Sequence, residues 1–340
     1  MGRKLRRGGL AVAACLIVTA AAACSSSSST PSSSGTSGSA SPAASGAHGT
    51  LIVFGAGTLA TPFAAEIAAF KQANPGVAVH SQFSASGDMV KAVTQLHQPD
   101  DVLGVADYSL IPKLMFPASA TWYLGFVSNA ITFAYTSNSK GAGGLTAANW
   151  YKVLAEPGVR IGRSNPAADP SGYQTLQMLQ LANGYYHQPG LSASVLKNSP
   201  DSSVAETETS LIAALQSGQI DYLAIYTSTA QEQHLKYITL PTQINLSDPA
   251  MAAQYGKVSI HAGSLGTLTA KPIIYGLTIP ASAPNAALGE KFISFVLSPQ
   301  GQAIMHSNGF TVISPALANP QDKVPASIQP LTTPWPSSGG

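Results

Sequence analysis

Four short stretches of this sequence combine residue types that could do chemistry with positions that could expose them. Gly55-Ala56-Gly57-Thr58-Leu59-Ala60 follows an apolar run and opens a helix-like pattern. Its glycine spacing is that of a dinucleotide loop, but Val79-His80-Ser81 stand where a ribose-binding acid would be needed. What survives is simpler physics: free backbone N–H groups at a helix start, with a hydroxyl from Thr58, form a cradle for an anion. Plain capping by Thr58 would use the same residues. Ser84-Ala85-Ser86-Gly87-Asp88 is a second hydroxyl- and glycine-rich helix start, again open to reading as an N-cap. In Ser164 through Tyr173, Asp169 can cap a helix whose first position is Pro170. Glu206 and Glu208 precede another helical pattern, where first-turn acids complement the helix dipole. Taken singly, each stretch can be structural; two anion cradles in one lobe make a joint anion site the sharper expectation.

Enzymatic chemistry finds less support. The seven histidines are scattered, so no His-x-x-x-His pair exists for zinc, and neither Gly-x-Ser-x-Gly nor a P-loop occurs. His80 and His234 read as isolated surface or core residues, and Trp122 and Trp150 as packing. An exported hydrolase would need a nucleophile, a histidine and an acid brought together by the fold, for which the sequence gives no pattern.

The elements that must position these loops alternate. Leu51-Ile52-Val53-Phe54 is a continuous apolar run, the mark of a buried parallel strand. Leu59, Phe63, Ile67 and Phe70 recur at helical spacing up to the stop Asn74-Pro75-Gly76. Strands are expected at Val77–Val79, Val102–Val105, Ile131–Tyr135, Tyr222–Tyr226 and Ile273–Ile279. Helices are expected around Met89–Leu96, Tyr173–Leu181, Leu211–Leu215 and Leu288–Val296, with a further helical stretch after Ser298-Pro299 to Met305. This is an α/β chain built on mostly parallel sheets. Beyond about Leu317 the sequence turns Pro-rich and is expected to wrap the surface.

The N-terminal part obeys different rules. Arg3, Lys4, Arg6 and Arg7 precede an uncharged apolar run, Leu10–Ala23, too short for an ordinary spanning helix. Residues 1–23 are expected to be a signal peptide and Cys24 the lipidated first residue of a lipoprotein. An ordinary signal with Cys24 incidental would leave an unpaired exported thiol. Of the two cysteines the other, Cys15, lies inside the apolar run, so the remaining chain has no disulfide. Residues 24–49, almost wholly Ser, Gly, Ala, Thr and Pro, read as a disordered tether. Four of the 17 basic residues and none of the 15 acids lie in the signal, so the formal charge of +2 becomes −2 without it. No basic patch remains, and nucleic acid is not an expected partner.

Taken in order, Phe54-Gly55-Ala56-Gly57-Thr58-Leu59, Val105-Ala106-Asp107-Tyr108-Ser109-Leu110-Ile111, Asn149-Trp150-Tyr151, Ser164-Asn165-Pro166 through Asp169-Pro170-Ser171-Gly172-Tyr173, Gly218-Gln219-Ile220-Asp221-Tyr222 and Lys271-Pro272-Ile273-Ile274-Tyr275-Gly276 form one series. Together they resemble the archaeal-type tungstate/molybdate-binding proteins of ABC importers, over about Leu51 to Phe310. The resemblance implies a two-lobed periplasmic-binding-protein fold of type II with the ligand in the inter-lobe cleft. Lobe 1 would comprise residues 50–133 and 276–325, lobe 2 residues 134–275, and a Pro-rich tail 326–340, with crossings near Ile131–Thr136 and Tyr275–Ile279. Carried over, the ligand-binding residues are Gly57, Thr58, Ser86, Asp169, Ser171, Glu208 and Tyr226, with Glu206 the alternative to Glu208. Thr58 stands where serine is usual in the family. Asp169 and Glu208 would bond the tungsten or molybdenum atom itself, which sulfur in sulfate cannot accept. The resemblance further implies no catalysis, no cofactor beyond the tungstate or molybdate ligand, a monomer, an importer permease as partner, and a place outside the cell membrane on a lipid anchor. The same fold binding sulfate or phosphate is the alternative.

Overall fold

The computed structural model describes residues 47–336. The expected signal segment, Cys24 and the expected tether up to residue 46 lie outside them, as do residues 337–340. The expected tether ends earlier than residue 49, because His48 and Gly49 already belong to a paired strand. The chain builds strands β1 (His48–Ala56), β2 (Gly76–Ser84), β3 (Val102–Val105) and β4 (Tyr123–Ser128), then crosses at Asn129-Ala130. Beyond the crossing come β5 (Ile131–Tyr135), β6 (Ile161–Ser164), β7 (Val204–Ala205), β8 (Tyr222–Tyr226) and β9 (Lys236–Tyr237), followed by a hairpin of β10 (Ser259–His261) and β11 (Thr267–Thr269). The chain then returns for β12 (Ile274–Thr278), β13 (Thr311–Asn319) and β14 (Thr332–Pro334). Two main sheets result, one ordered β14-β13-β4-β12-β3-β1-β2 and the other β7-β6-β8-β5-β9. Each centres one lobe of a two-lobed α/β fold.

β1 lies between parallel partners β2 and β3, and this explains its apolar run: Leu51 and Val53 are fully buried. The sheets are mixed rather than mostly parallel. β12 enters the first sheet antiparallel to both β3 and β4, and β13 runs antiparallel to β4, because these strands belong to the returning chain. Ile131–Tyr135 lies wholly in the second sheet through its pairing with β8, and Tyr275–Thr278 wholly in the first. The crossings therefore fall earlier than expected, at Asn129-Ala130 and just before β12, where the Asn129 N–H donates to the Ile273 carbonyl at 3.2 Å. The Pro-rich tail supplies β14 as an edge strand, and its Trp335 ring packs 4.3 Å from that of Tyr108.

Helix α1 (Ala60–Ala73) buries the expected face. The Phe63 ring meets Phe292 edge-on at 5.8 Å, and Phe70 meets the same ring at 5.4 Å. Each such side chain contributes about 1.5–3 kcal/mol by leaving water. Glu66, one turn from both, is fully buried in this apolar face, and neither of its carboxyl oxygens has a hydrogen-bond partner. Helix α2 (Ser86–Thr94) follows β2, and the long helix Pro170–Tyr185 follows the loop after β6. No helix among the described residues is long and apolar enough to cross a membrane.

Candidate functional site

The four chemistry-bearing loops all reach the seam between the lobes. From lobe 1 come the turn after β1, with Gly57 and Thr58, and the start of α2, with Ser86 and Gly87. From lobe 2 come the loop before the helix Pro170–Tyr185, with Asp169 and Ser171, and the turn after β7, with Glu208. A Cβ at Gly57 would sit 3.4 Å from Thr209 Oγ1 and 3.6 Å from Thr207 Cγ2, so the first loop abuts the segment that carries Glu208. The Gly87 N–H donates to the Ala168 carbonyl at 2.9 Å, joining α2 to the Asp169 loop. The lobes are closed on each other.

Each hydroxyl has a definite task. Thr58 caps nothing; its Oγ1 lies 3.0 Å from the Tyr275 hydroxyl of β12. Tyr275 in turn accepts a bond from Asn129 Nδ2 at 3.4 Å, and Asn129 also donates to Ser228 Oγ of lobe 2 at 2.7 Å. Ser86 Oγ accepts the Ala106 N–H at 3.1 Å, so its own proton remains available for a ligand oxygen. Ser164 Oγ, at the end of β6, lies 2.5 Å from Ser171 Oγ.

Ser171 ties the two acids together. Asp169 is the N-cap of the helix, with Pro170 at its first position, and its Oδ1 accepts the Ser171 N–H at 3.0 Å. The Ser171 hydroxyl donates to Glu208 Oε2 at 2.8 Å. The other Glu208 oxygen, Oε1, is buried without a partner. Glu208 is 1% exposed and Asp169 5%, whereas Glu206 is exposed. Geometry therefore selects Glu208 over Glu206 as the inward acid. Glu208 makes no side-chain cap to the turn that follows.

The electrostatics follow from burial without countercharge. Among the described residues neither acid forms a salt bridge; the cations Lys271, Arg160 and Arg163 pair with Asp107, Asp221 and Asp201 instead. Burial pushes the Asp169 carboxyl well above the usual carboxylate range, and the charge of Glu208 pushes it further, against the Ser171 N–H. Burial raises Glu208 as well, opposed by the Ser171 hydroxyl. Two buried carboxyls joined through one serine cannot both carry charge cheaply, which favours a proton shared by the pair. The phenols of Tyr226 and Tyr275 are buried beside the acids, their rings 5.8 Å apart, and burial raises both, with both acids adding to the effect. Tyr226 donates to Gln174 Oε1 at 2.6 Å.

The sequence-predicted residues Gly57, Thr58, Ser86, Asp169, Ser171, Glu208 and Tyr226 thus converge at one seam. Ser164, Gly87 and Tyr275, which stand within the stretches quoted above but were not assigned to the ligand, join them, as do Asn129 and Gln174, which no motif marked. His80 and His234 are exposed, and Trp122 and Trp150 are buried packing residues. Chemically, the seam offers hydroxyl and N–H donors for oxygens and two carboxylates able to approach an electrophilic centre.

Known proteins resemble this chain in sequence and in fold. A family profile described as bacterial extracellular solute-binding protein matches residues 51–311. A solute-binding protein of Petrotoga mobilis is 38% identical over 83% of this chain and 89% of its own. The molybdate/tungstate-binding protein WtpA of Thermococcus kodakarensis is 37% identical over 79% of this chain and 84% of its own, and that of Pyrococcus abyssi is 38% identical over 79% and 86%. Among solved structures, the periplasmic molybdate-binding protein of Azotobacter vinelandii superposes with a TM-score of 0.58 at 18% identity, covering 77% of this chain and 99% of its own. The sulfate-binding protein SubI of Mycobacterium tuberculosis superposes with a TM-score of 0.59 at 17% identity, covering 85% and 94%. These two show the shared fold.

Proposed function

The chain belongs to the bacterial extracellular solute-binding protein family, and from that premise we propose that its solute is tungstate or molybdate, held in the seam and released to the permease of an ABC importer. The observation that carries the reading is the pair of buried acids, Asp169 and Glu208, with one Glu208 oxygen left without a partner and no cation beside either acid. A bare carboxylate repels a dianion. It helps only where it bonds the central atom, and tungsten and molybdenum accept extra oxygens while sulfur does not. Asp169 and Glu208 would complete the metal's shell and, by the same repulsion, turn sulfate away. Gly57, Thr58, Ser86 and Ser171 would hold the oxo groups with N–H and O–H donors, and Tyr226 would wall the pocket. The archaeal relatives' names support this ligand.

On the same reading, residues 1–23 direct export, Cys24 carries the lipid anchor, and residues 24–46 let a monomeric binding lobe pair reach its importer without catalysing any reaction. The test is competitive loading. Purified protein is equilibrated with equimolar tungstate, molybdate, sulfate and phosphate, desalted and subjected to elemental analysis. One tungsten or molybdenum atom per chain is expected; bound sulfur or phosphorus in their place overturns the assignment.

A further inference from the structure

Asp107 and Tyr173 stand in the sequence series described above, yet neither belongs to the ligand shell. Their side chains meet across the seam: the Tyr173 hydroxyl, on the helix that Asp169 caps, donates to Asp107 Oδ2 at 2.8 Å. Both residues are buried, Tyr173 at 1% exposure and Asp107 at 3%. The acid is furnished by its own turn and by the segment leading into β12. Its Oδ1 accepts the Ser109 N–H at 2.9 Å and the Ser109 hydroxyl at 2.8 Å, and Lys271 brings its ammonium to 3.4 Å. Lys271 also donates to Ser109 Oγ and lies 5.2 Å above the Tyr108 ring. The remaining oxygen of a buried, fixed carboxylate thus faces one donor, and that donor sits on the other lobe.

We propose that Asp107 and Tyr173 are a closure latch: positioning residues that hold the lobes shut over the ligand and set how slowly it leaves. Three observations support it. The bond is charge-assisted and buried, which places it among the stronger hydrogen bonds. It is formed one helical turn after Asp169, so a ligand that orders Asp169 also orients Tyr173. It is also backed by a second buried crossing, the Gly87 N–H to the Ala168 carbonyl. On opening, Asp107 keeps both bonds from Ser109 of its own turn, so its charge is not left without a donor and the latch can release. The exposed cross-lobe bond from Thr61 Oγ1 to Glu232 Oε1, 2.8 Å, is the internal contrast, because water competes for it.

The inference rests on the solute-binding reading but not on which anion is bound. Tyr173→Phe removes the donor and keeps the ring; Asp107→Asn keeps the shape and removes the charge. Tungstate dissociation and association are followed by stopped-flow fluorescence, and hydrogen exchange of the Gly87 amide reports closure whatever the ligand. Both variants are expected to release tungstate about tenfold faster, the loss of one charge-assisted bond, with association unchanged; Tyr173→Phe, which leaves the Asp107–Lys271 pair intact, should also leave the melting temperature of the ligand-free protein unchanged. Gly87 exchange should accelerate in parallel, and Thr61→Val should change none of these. Wild-type Gly87 protection retained in both variants overturns the latch. A wild type that takes up no tungstate overturns the ligand assignment instead, and the Gly87 comparison still decides the latch.

Discussion

Gly87→Ala should separate closure from folding. Gly87 is the second residue of α2, and its backbone is not left-handed, so alanine fits its local conformation. Helix propensity favours alanine over glycine by up to about 1 kcal/mol, so the ligand-free protein should melt at the same temperature or slightly higher. In the closed protein the new Cβ would lie 2.7 Å from the Ala168 carbonyl oxygen and 3.4 Å from its carbon. An ordinary C···O approach is about 3.3–3.6 Å, so the lobes must stay apart by roughly 0.6 Å or more. The obstacle is backbone, which cannot swing aside as a flexible side chain can. Stopping short strains or breaks the Gly87 N–H to Ala168 bond, worth about 1 kcal/mol, and overpacking adds about 1–2 kcal/mol. The sum is on the order of 2–3 kcal/mol, a loss of about 30- to 150-fold in ligand affinity. Isothermal titration with tungstate reads the affinity, and calorimetric melting of the ligand-free protein reads the fold. Wild-type affinity in a stably folded Gly87→Ala protein would refute the claim that ligand is held by lobes closed upon this contact.

Glu208→Gln and Asp169→Asn should each weaken tungstate binding by at least 100-fold, about 3 kcal/mol, while sulfate binding stays level or improves; titration with both anions decides it. Binding must expel the proton held by the raised Asp169–Glu208 pair, so tungstate affinity should rise with pH through the range above ordinary carboxylate values, and proton release is measurable by titrating in buffers of different ionisation enthalpy. The ligand-free protein carries the opposite sign. Glu66 is pushed by burial from 4.5 to about 8, so the folded state binds more protons than the unfolded chain between those values and stability falls as pH rises across that window. Glu66→Gln should remove that slope and be more stable than wild type at pH 8 by on the order of 4 kcal/mol, with little difference near pH 4.5, as read by urea unfolding.

Local periodicity made much of this fold legible. Val102–Val105, Ile131–Tyr135 and Tyr222–Tyr226 are strands at their expected bounds, because central strands buried on both faces read as unbroken apolar runs. Tyr123–Ser128 and Ile161–Ser164 were not legible: Gly125 and Gly162 interrupt the apolar pattern, and Arg163 stands in the second of them. Gly125 is there because a Cβ would strike Trp335, a partner more than 200 residues away that no local window contains. Sheet direction was misjudged for a related reason, since β12 pairs antiparallel only after the chain has built a second lobe. At the site, residue types gave the cradles but not the partners. Asp169 proved to be both a helix cap and an inward acid, and the choice between Glu208 and Glu206 rested on which side chain the turn after β7 buries. Ser171 as the bridge between the acids, and Asp107 with Tyr173 as a crossing, are contacts between distant segments.

The central claim is that Asp169 and Glu208 bond the metal atom of the captured anion, and X-ray absorption at the tungsten edge of tungstate-loaded protein reads that shell directly. Six oxygens about tungsten are expected in the wild type and fewer in Glu208→Gln. A four-oxygen tetrahedral shell in the wild type, unchanged by the substitution, would contradict it.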